Sequence, residues 1–285
     1  MKKLIILIIS IIFITGCDFI KMDDFDGIDI YTTAYPIEYI TTRLYGDYSN
    51  IYSIYPDGIN IKEYTITNKK TNEFSKAHLF IYNGLSSEKQ IAASLINKNK
   101  KLNIIDVSRG LEIKNEDAEL WISPSNCLMI AQNIKNGLKE YINNTSILED
   151  IDNNYEELKI DISEFDAELK LIAENAGNKT LIVANKAFNF LSKYGFEIIN
   201  VNDEDSSSTA FARAKKAFSN KENQYLFIIS DTDENNENIQ TLINNGAKIT
   251  RINKMDNISD EDRKNDNDYM TFMKDFIEAI KGEVY

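Results

Sequence analysis

Apolar positions along the chain alternate between two periods. IDIYTTAYP (28–36), IYSIYP (51–56), HLFIYNG (78–84) and LNIIDVSRG (102–110) are short runs rich in β-branched and aromatic residues, and they predict strands. HLFIYNG is continuous enough for burial on both faces. Between them, IEYITTRLYG places Ile37, Ile40 and Leu44 at helical spacing, and SSEKQIAASLINKN opens a second helix at Ser86 or Ser87. SPSNCLMIAQNIKNGLKEYI reads as a third helix, with Ser123 as N-cap and Pro124 at the first helical position.

The middle of the chain follows a different pattern. From Thr145 to Ala176, Ile147, Ile151, Tyr155, Leu158, Ile162, Phe165, Leu169 and Ile172 recur in steps of three and four, with no Gly or Pro before Gly177. That predicts roughly 45 Å of helix. Either a coiled-coil arm or a helix packed along a two-lobed body has this period, and the small number of clean heptads favours the second. Alternation then resumes. TLIVANK, FEIINVN, YLFIISD and KITRIN predict strands, while AFNFLSKYG, SSSTAFARAKKAFSNKE, ENIQTLINNGA and DYMTFMKDFIEAIKG predict helices. Strands alternating with helices of this length imply parallel sheets with right-handed crossovers. The expected class is α/β: two lobes with mainly parallel sheets joined by one long backbone helix. The expected divisions are an N-terminal lobe at 28–144, a linking helix at 145–177 and a C-terminal lobe at 178–285. Ligands of open α/β sheets sit beyond the carboxyl ends of the strands.

Composition narrows the function. Forty-five acids against 32 bases give a formal charge of −13, the wrong sign for a nucleic-acid partner. No Gly-rich phosphate loop, nucleophile elbow or HExxH motif occurs, and a close pair of acids such as Asp117 and Glu119 is too common to signal an enzyme. Met1-Lys2-Lys3 followed by the apolar run Leu4–Ile14 and ITGC (14–17) resembles a bacterial lipobox. This reading makes residues 1–16 a lipoprotein signal peptide, Cys17 the lipidated residue and 17–27 a tether. It places the protein, as a monomer, on the extracytoplasmic face of the cell membrane. Acylation by more than one chain gives stable anchoring. The other cysteine, Cys127, then has no intramolecular partner and reads as a small buried hydrophobe.

Several segments in order carry a family resemblance: HLFIYNGL, VSRG, ELWISPSNCLMIAQNIKNGL and VANKAFNFLSKYGFEI. Together they resemble the zinc and manganese receptor lipoproteins of bacterial ABC importers, over about residues 28–285. The resemblance implies a membrane permease as partner and a divalent metal as transported ligand. It also implies four metal positions, and here this sequence departs from the family. The first histidine position is Lys62, with the neighbouring Glu63 and Tyr64 retained. The second, two residues before Trp121, is Glu119; the third is Asn185; the acidic fourth aligns with Asp256, or alternatively with Asn253. Zinc favours imidazole and thiolate, and this set offers neither. Its carboxylates and amide suit harder cations, so high-affinity zinc is disfavoured. Lys62 brings an ammonium that can reach Glu119 or Asp256, which leads to the expectation of an internal ion pair in place of the metal. His78, the only histidine, falls at a strand entry away from the cleft and reads as structural. The alternative reading is a non-transporting surface lipoprotein that uses the same scaffold for interaction or adhesion.

Overall fold

The computed structural model describes residues 27–112, 120–201 and 209–285. Its strands form two four-stranded sheets, ordered β2-β1-β3-β4 and β6-β5-β7-β8. The first sheet comprises β1 (Ile28–Thr32), β2 (Ser49–Ser53), β3 (Leu79–Tyr82) and β4 (Asn103–Asp106). The second comprises β5 (Thr180–Val183), β6 (Glu197–Asn200), β7 (Tyr225–Ile229) and β8 (Lys248–Ile252). Every pairing is parallel. All four residues of β3 are buried, as a strand covered on both faces requires. In each sheet the first strand pairs with both the second and the third. The chain order therefore reverses between β1 and β3, and again between β5 and β7. Those reversals are where doubly wound sheets open a crevice beyond their carboxyl ends.

Helices α1 (Tyr35–Tyr45), α2 (Asn68–Phe74), α3 (Glu88–Lys98) and α4 (Pro124–Tyr141) accompany the first sheet. Helix α5 (Thr145–Asn175) runs for 31 residues and buries Ile147, Ile151, Tyr155, Leu158, Ile162, Phe165, Leu169 and Ile172. Asn144 caps it, accepting from the amides of Ser146 and Ile147. The apolar seam packs along both lobes instead of standing out as an arm, so one continuous core joins Ile30, Ile130, Leu158, Phe188 and Phe276. Helices α6 (Thr209–Ser219), α7 (Glu237–Asn244), α8 (Asp260–Lys264) and α9 (Tyr269–Val284) complete the second lobe.

Three local features differ from the sequence expectation. Helices α2 and α8 are too short and polar to show a period; side-chain caps from Thr67 and Ser259 hold them. The stretch Lys186–Tyr194 is a 3-10 helix rather than an α-helix. Its tighter winding is visible in the i→i+3 bonds Phe188 N–H to Asn185 O (3.4 Å) and Gly195 N–H to Ser192 O (3.1 Å). Gly195 ends it at φ 102°, a left-handed conformation that suits glycine.

Candidate functional site

The carboxyl ends of both sheets face one another across a cleft of about 970 Å³. Lys62, Ser86, Glu88, Trp121, Lys254 and Asp256 are among its lining residues. Lys62 lies on the loop after β2, Glu88 opens α3 just beyond β3, and Lys254 and Asp256 follow β8.

Charge inside the cleft centres on Lys254. Its residue is 6% exposed, and its Nζ stands 2.7 Å from Asp256 Oδ2 and 3.1 Å from Asp231 Oδ2. Burial alone would push an ammonium towards neutrality, but the two carboxylates outweigh it and raise the Lys254 pKa. Asp231 shows the reciprocal effect. Its desolvation is outweighed by Lys254 and Lys62, so its pKa is lowered. Lys62 Nζ is 3.4 Å from Asp231 on a side chain that is 68% exposed. An internal ion pair thus occupies the site. Of the two partners expected for Lys62, Glu119 lies outside the described residues, and among those described Lys62 pairs with Asp231 and not with Asp256. Lys254 stands closer and deeper, and it takes that carboxylate.

The remaining family-equivalent positions separate. Asn185 follows β5 at the second sheet's reversal, where its Oδ1 accepts from the Ile229 amide (2.9 Å) and the Thr232 hydroxyl (3.2 Å). Its carbonyl is therefore engaged in tying β5 to the end of β7. Asn253 Oδ1 accepts from the Met255 amide at 2.8 Å, which braces a turn where Met255 has φ 61°. Glu119 and Cys17 lie outside the described residues. Among the described residues, no three His, Cys, Asp or Glu side chains form a group able to hold a metal ion. His78 sits at the opposite, amino-terminal end of β3, where its Nδ1 accepts from the Asp29 amide at 3.1 Å. Cys127 is fully buried, and burial pushes its thiol up to about 12.

Glu88 is the second buried charge. Its Oε2 accepts from the Asn83 amide at 2.8 Å. Burial raises its pKa to about 7; the Thr33 hydroxyl and the Asn83 amide oppose that shift, and the charges of Asp256 and Asp106 add to it. Sequence reading missed Asp231, Lys254 and Glu88. Asp231 had a usable signal, since it ends the strand YLFIISD on the side where ligands collect. Glu88 reads locally as an ordinary first-turn acid, and Lys254 as one more basic loop residue.

The lobes meet tightly around this cleft. The Trp121 indole donates to the Lys254 carbonyl at 2.9 Å, and the Tyr269 hydroxyl donates to the Trp121 carbonyl at 2.7 Å. Backbone bonds run from Tyr35 N–H to Asp256 O (2.9 Å) and from Gly58 N–H to Ile258 O (2.8 Å).

The family model for ZnuA, the periplasmic component A of the zinc-uptake complex, matches residues 30–283. The chain belongs to this family. The zinc-binding lipoprotein AdcA of Streptococcus pneumoniae is 23% identical over 311 residues, covering 99% of this chain and 61% of AdcA. A metal ABC transporter substrate-binding lipoprotein of Lactococcus lactis is 30% identical over 203 residues, covering 65% of this chain and 64% of that protein. The chain thus matches a little under two thirds of the length of each. Among solved structures, the metal-dependent lipoprotein YcdH of Bacillus subtilis superimposes with a TM-score of 0.75 at 19% identity, covering 90% of this chain and 99% of YcdH. The fold expected from the alternating pattern is the fold of this family. The family is one of transporter solute-binding components and not of enzymes.

Proposed function

We infer that the protein is a solute-binding lipoprotein on the extracytoplasmic face of the membrane, serving a zinc- or manganese-type ABC importer through its permease. Its metal site is degenerate. In this reading residues 1–16 are removed and Cys17 carries the lipid. The relatives named as lipoproteins and substrate-binding components support the general role.

One observation carries the specific part. The Lys254 ammonium sits 2.7 Å from the Asp256 carboxylate, the group the family resemblance assigns to the metal. A divalent cation bound there would face a fixed positive charge and would have to displace it. With Lys62 and Asn185 replacing imidazoles, and Asn185 engaged between strands, the cleft favours an internal ion pair over tight zinc.

The test is a thermal melt of the metal-stripped protein with added zinc, manganese or calcium. A ligand at a hundredfold excess over its Kd adds roughly 2.7 kcal/mol of stability. No shift is expected with zinc at micromolar free concentration. A zinc-dependent rise that is lost in Asp256→Ala and retained in His78→Ala would overturn the degenerate-site reading. Incorporation of labelled palmitate, abolished by Cys17→Ser, checks the anchor independently.

A further inference from the structure

The cleft is much larger than an ion-pair site needs. A volume of about 970 Å³ lies at the upper end of the range for pockets that enclose organic molecules. A bare divalent ion needs only a coordination sphere with ligands about 2 Å away. The walls have a matching character. Tyr55, Ile61, Tyr64, Ile66, Ile91 and Trp121 line the cavity. Ile61, Tyr64, Ile66 and Ile91 are only partly buried, though they pack against the apolar cluster around Tyr55 and Phe80. Concave apolar surface left half covered is what a hydrocarbon body fills.

The charged residues of the cavity then bear on the head group. Lys62, Lys254 and Asp256 line it. Lys254 pairs with Asp256 and, outside that lining, with Asp231, against which Lys62 also leans. Glu88 also lines the cleft, 6% exposed. It accepts from one backbone amide, and among the described residues no Lys, Arg or His forms an ion pair with it. Burial without a counter-ion makes this carboxyl readily protonated, and an arriving cation would stabilise its charged form.

We propose that the cleft binds a small organic monocation, an amine with an apolar body, whose ammonium meets Glu88 while its hydrocarbon lies against Tyr55, Tyr64 and Ile91. The proposal goes beyond the receptor reading by naming an organic solute class in place of a metal ion, and it rests on that reading only for the biological role. Binding itself follows from the cavity and from a carboxyl that has no ion-pair partner among the described residues.

The experiment uses the full chain in detergent with EDTA present, titrated calorimetrically with three probes of one shape: 2-phenylethylamine, 2-phenylethanol and 3-phenylpropionate. Saturable one-to-one binding of the amine is expected, about tenfold or more tighter than either control, as a charge-assisted hydrogen bond implies. Glu88→Gln should remove that preference and leave the alcohol's weak binding unchanged. Ile91→Trp, on the partly exposed wall, should fill the cavity and weaken binding of the amine and the alcohol alike. The proposal is overturned if the amine does not bind, if alcohol or carboxylate binds as well, or if the Glu88→Gln protein keeps the preference. Should Glu88→Gln fail to fold, undiminished amine binding by Ile91→Trp overturns it instead. Failure of the amine beside saturable manganese binding in a separate EDTA-free titration would reject this inference and leave the receptor reading standing. Failure of every solute, together with no effect of deleting the gene on uptake, would remove the receptor reading as well.

Discussion

At the level of single residues, Lys254 and Glu88, both buried at the cleft, have opposite consequences. Removing the Lys254 ammonium strands Asp231 and Asp256, which are 35% and 19% exposed at the side chain. Breaking a buried pair by deleting one partner costs about 3 kcal/mol or more. Lys254→Met should therefore lower the melting temperature, and manganese or calcium should restore part of the loss by occupying the freed carboxylates. Melts with and without the metals read both effects; a variant as stable as the parent would contradict the ion-pair account. Glu88 acts the other way. Its folded pKa of about 7 lies above the ordinary glutamate value of about 4.3, so the folded state holds the extra proton between those limits. Its contribution to stability is fully present below pH 4 and falls as pH rises through 7. Burial is the main cause, Asp256 and Asp106 add repulsion, and the neighbouring Tyr55 stays neutral, its own pKa raised by burial and then by Glu88. Denaturant titrations between pH 5 and 8 should show a falling stability that Glu88→Gln flattens, with the variant gaining up to about 3 kcal/mol at the alkaline end.

The elements themselves were largely legible, because their signals are local. Strand runs and the eight-position seam of α5 are periodic patterns that survive any tertiary context, and Pro124 and Gly195 mark ends by their backbone chemistry. What was not legible depends on contacts distant in sequence. Lys62 and Asp231 are 169 positions apart, and nothing near either residue names the other. The family resemblance pointed to positions beyond the strand ends; there Asn185 binds β5 to β7, and Lys254, not Lys62, pairs with Asp256. A helix–sheet contact gives a further check. A Cβ added at Gly137 would lie 2.6 Å from Ile105 Cγ1, so the glycine lets α4 approach β4. In an open helix, Gly→Ala would gain about 1 kcal/mol. Here overpacking of a buried isoleucine should reverse the sign, with Gly137→Ala losing about 1–3 kcal/mol in equilibrium unfolding.

Across the whole molecule, the question is whether the lobes swing. Helix α5 spans both and shares one core with them, which leaves no flexible linker between the sheets there. Around the cleft the lobes are also latched directly. Asn257 accepts from the Gly58 amide at 2.6 Å and donates to the Pro56 carbonyl at 3.0 Å. Arg263 reaches Asp57 at 2.6 Å and Glu38 at 3.0 Å. The Glu38 carboxyl is raised by burial despite Arg263, while the guanidinium pKa is raised by Asp57, with Glu38 adding to it. Exposed ion pairs contribute little individually, but this arginine ties the loop after β2 and helix α1 to α8, and its guanidinium also lies over the Tyr35 ring of α1, 5.8 Å from the centroid. If the proposed receptor role holds, this build predicts solute uptake by small rearrangements of the cleft-side loops rather than by wide closure. Small-angle scattering should therefore give the same radius of gyration with and without a saturating solute. Arg263→Ala should leave that radius unchanged too, because α5 still fixes the lobes, while it speeds hydrogen exchange of the Gly58 and Ile258 amides at the latch. A radius that contracts on solute addition, or expands in Arg263→Ala, would show that the charged latch, and not the shared helical core, sets the distance between the lobes.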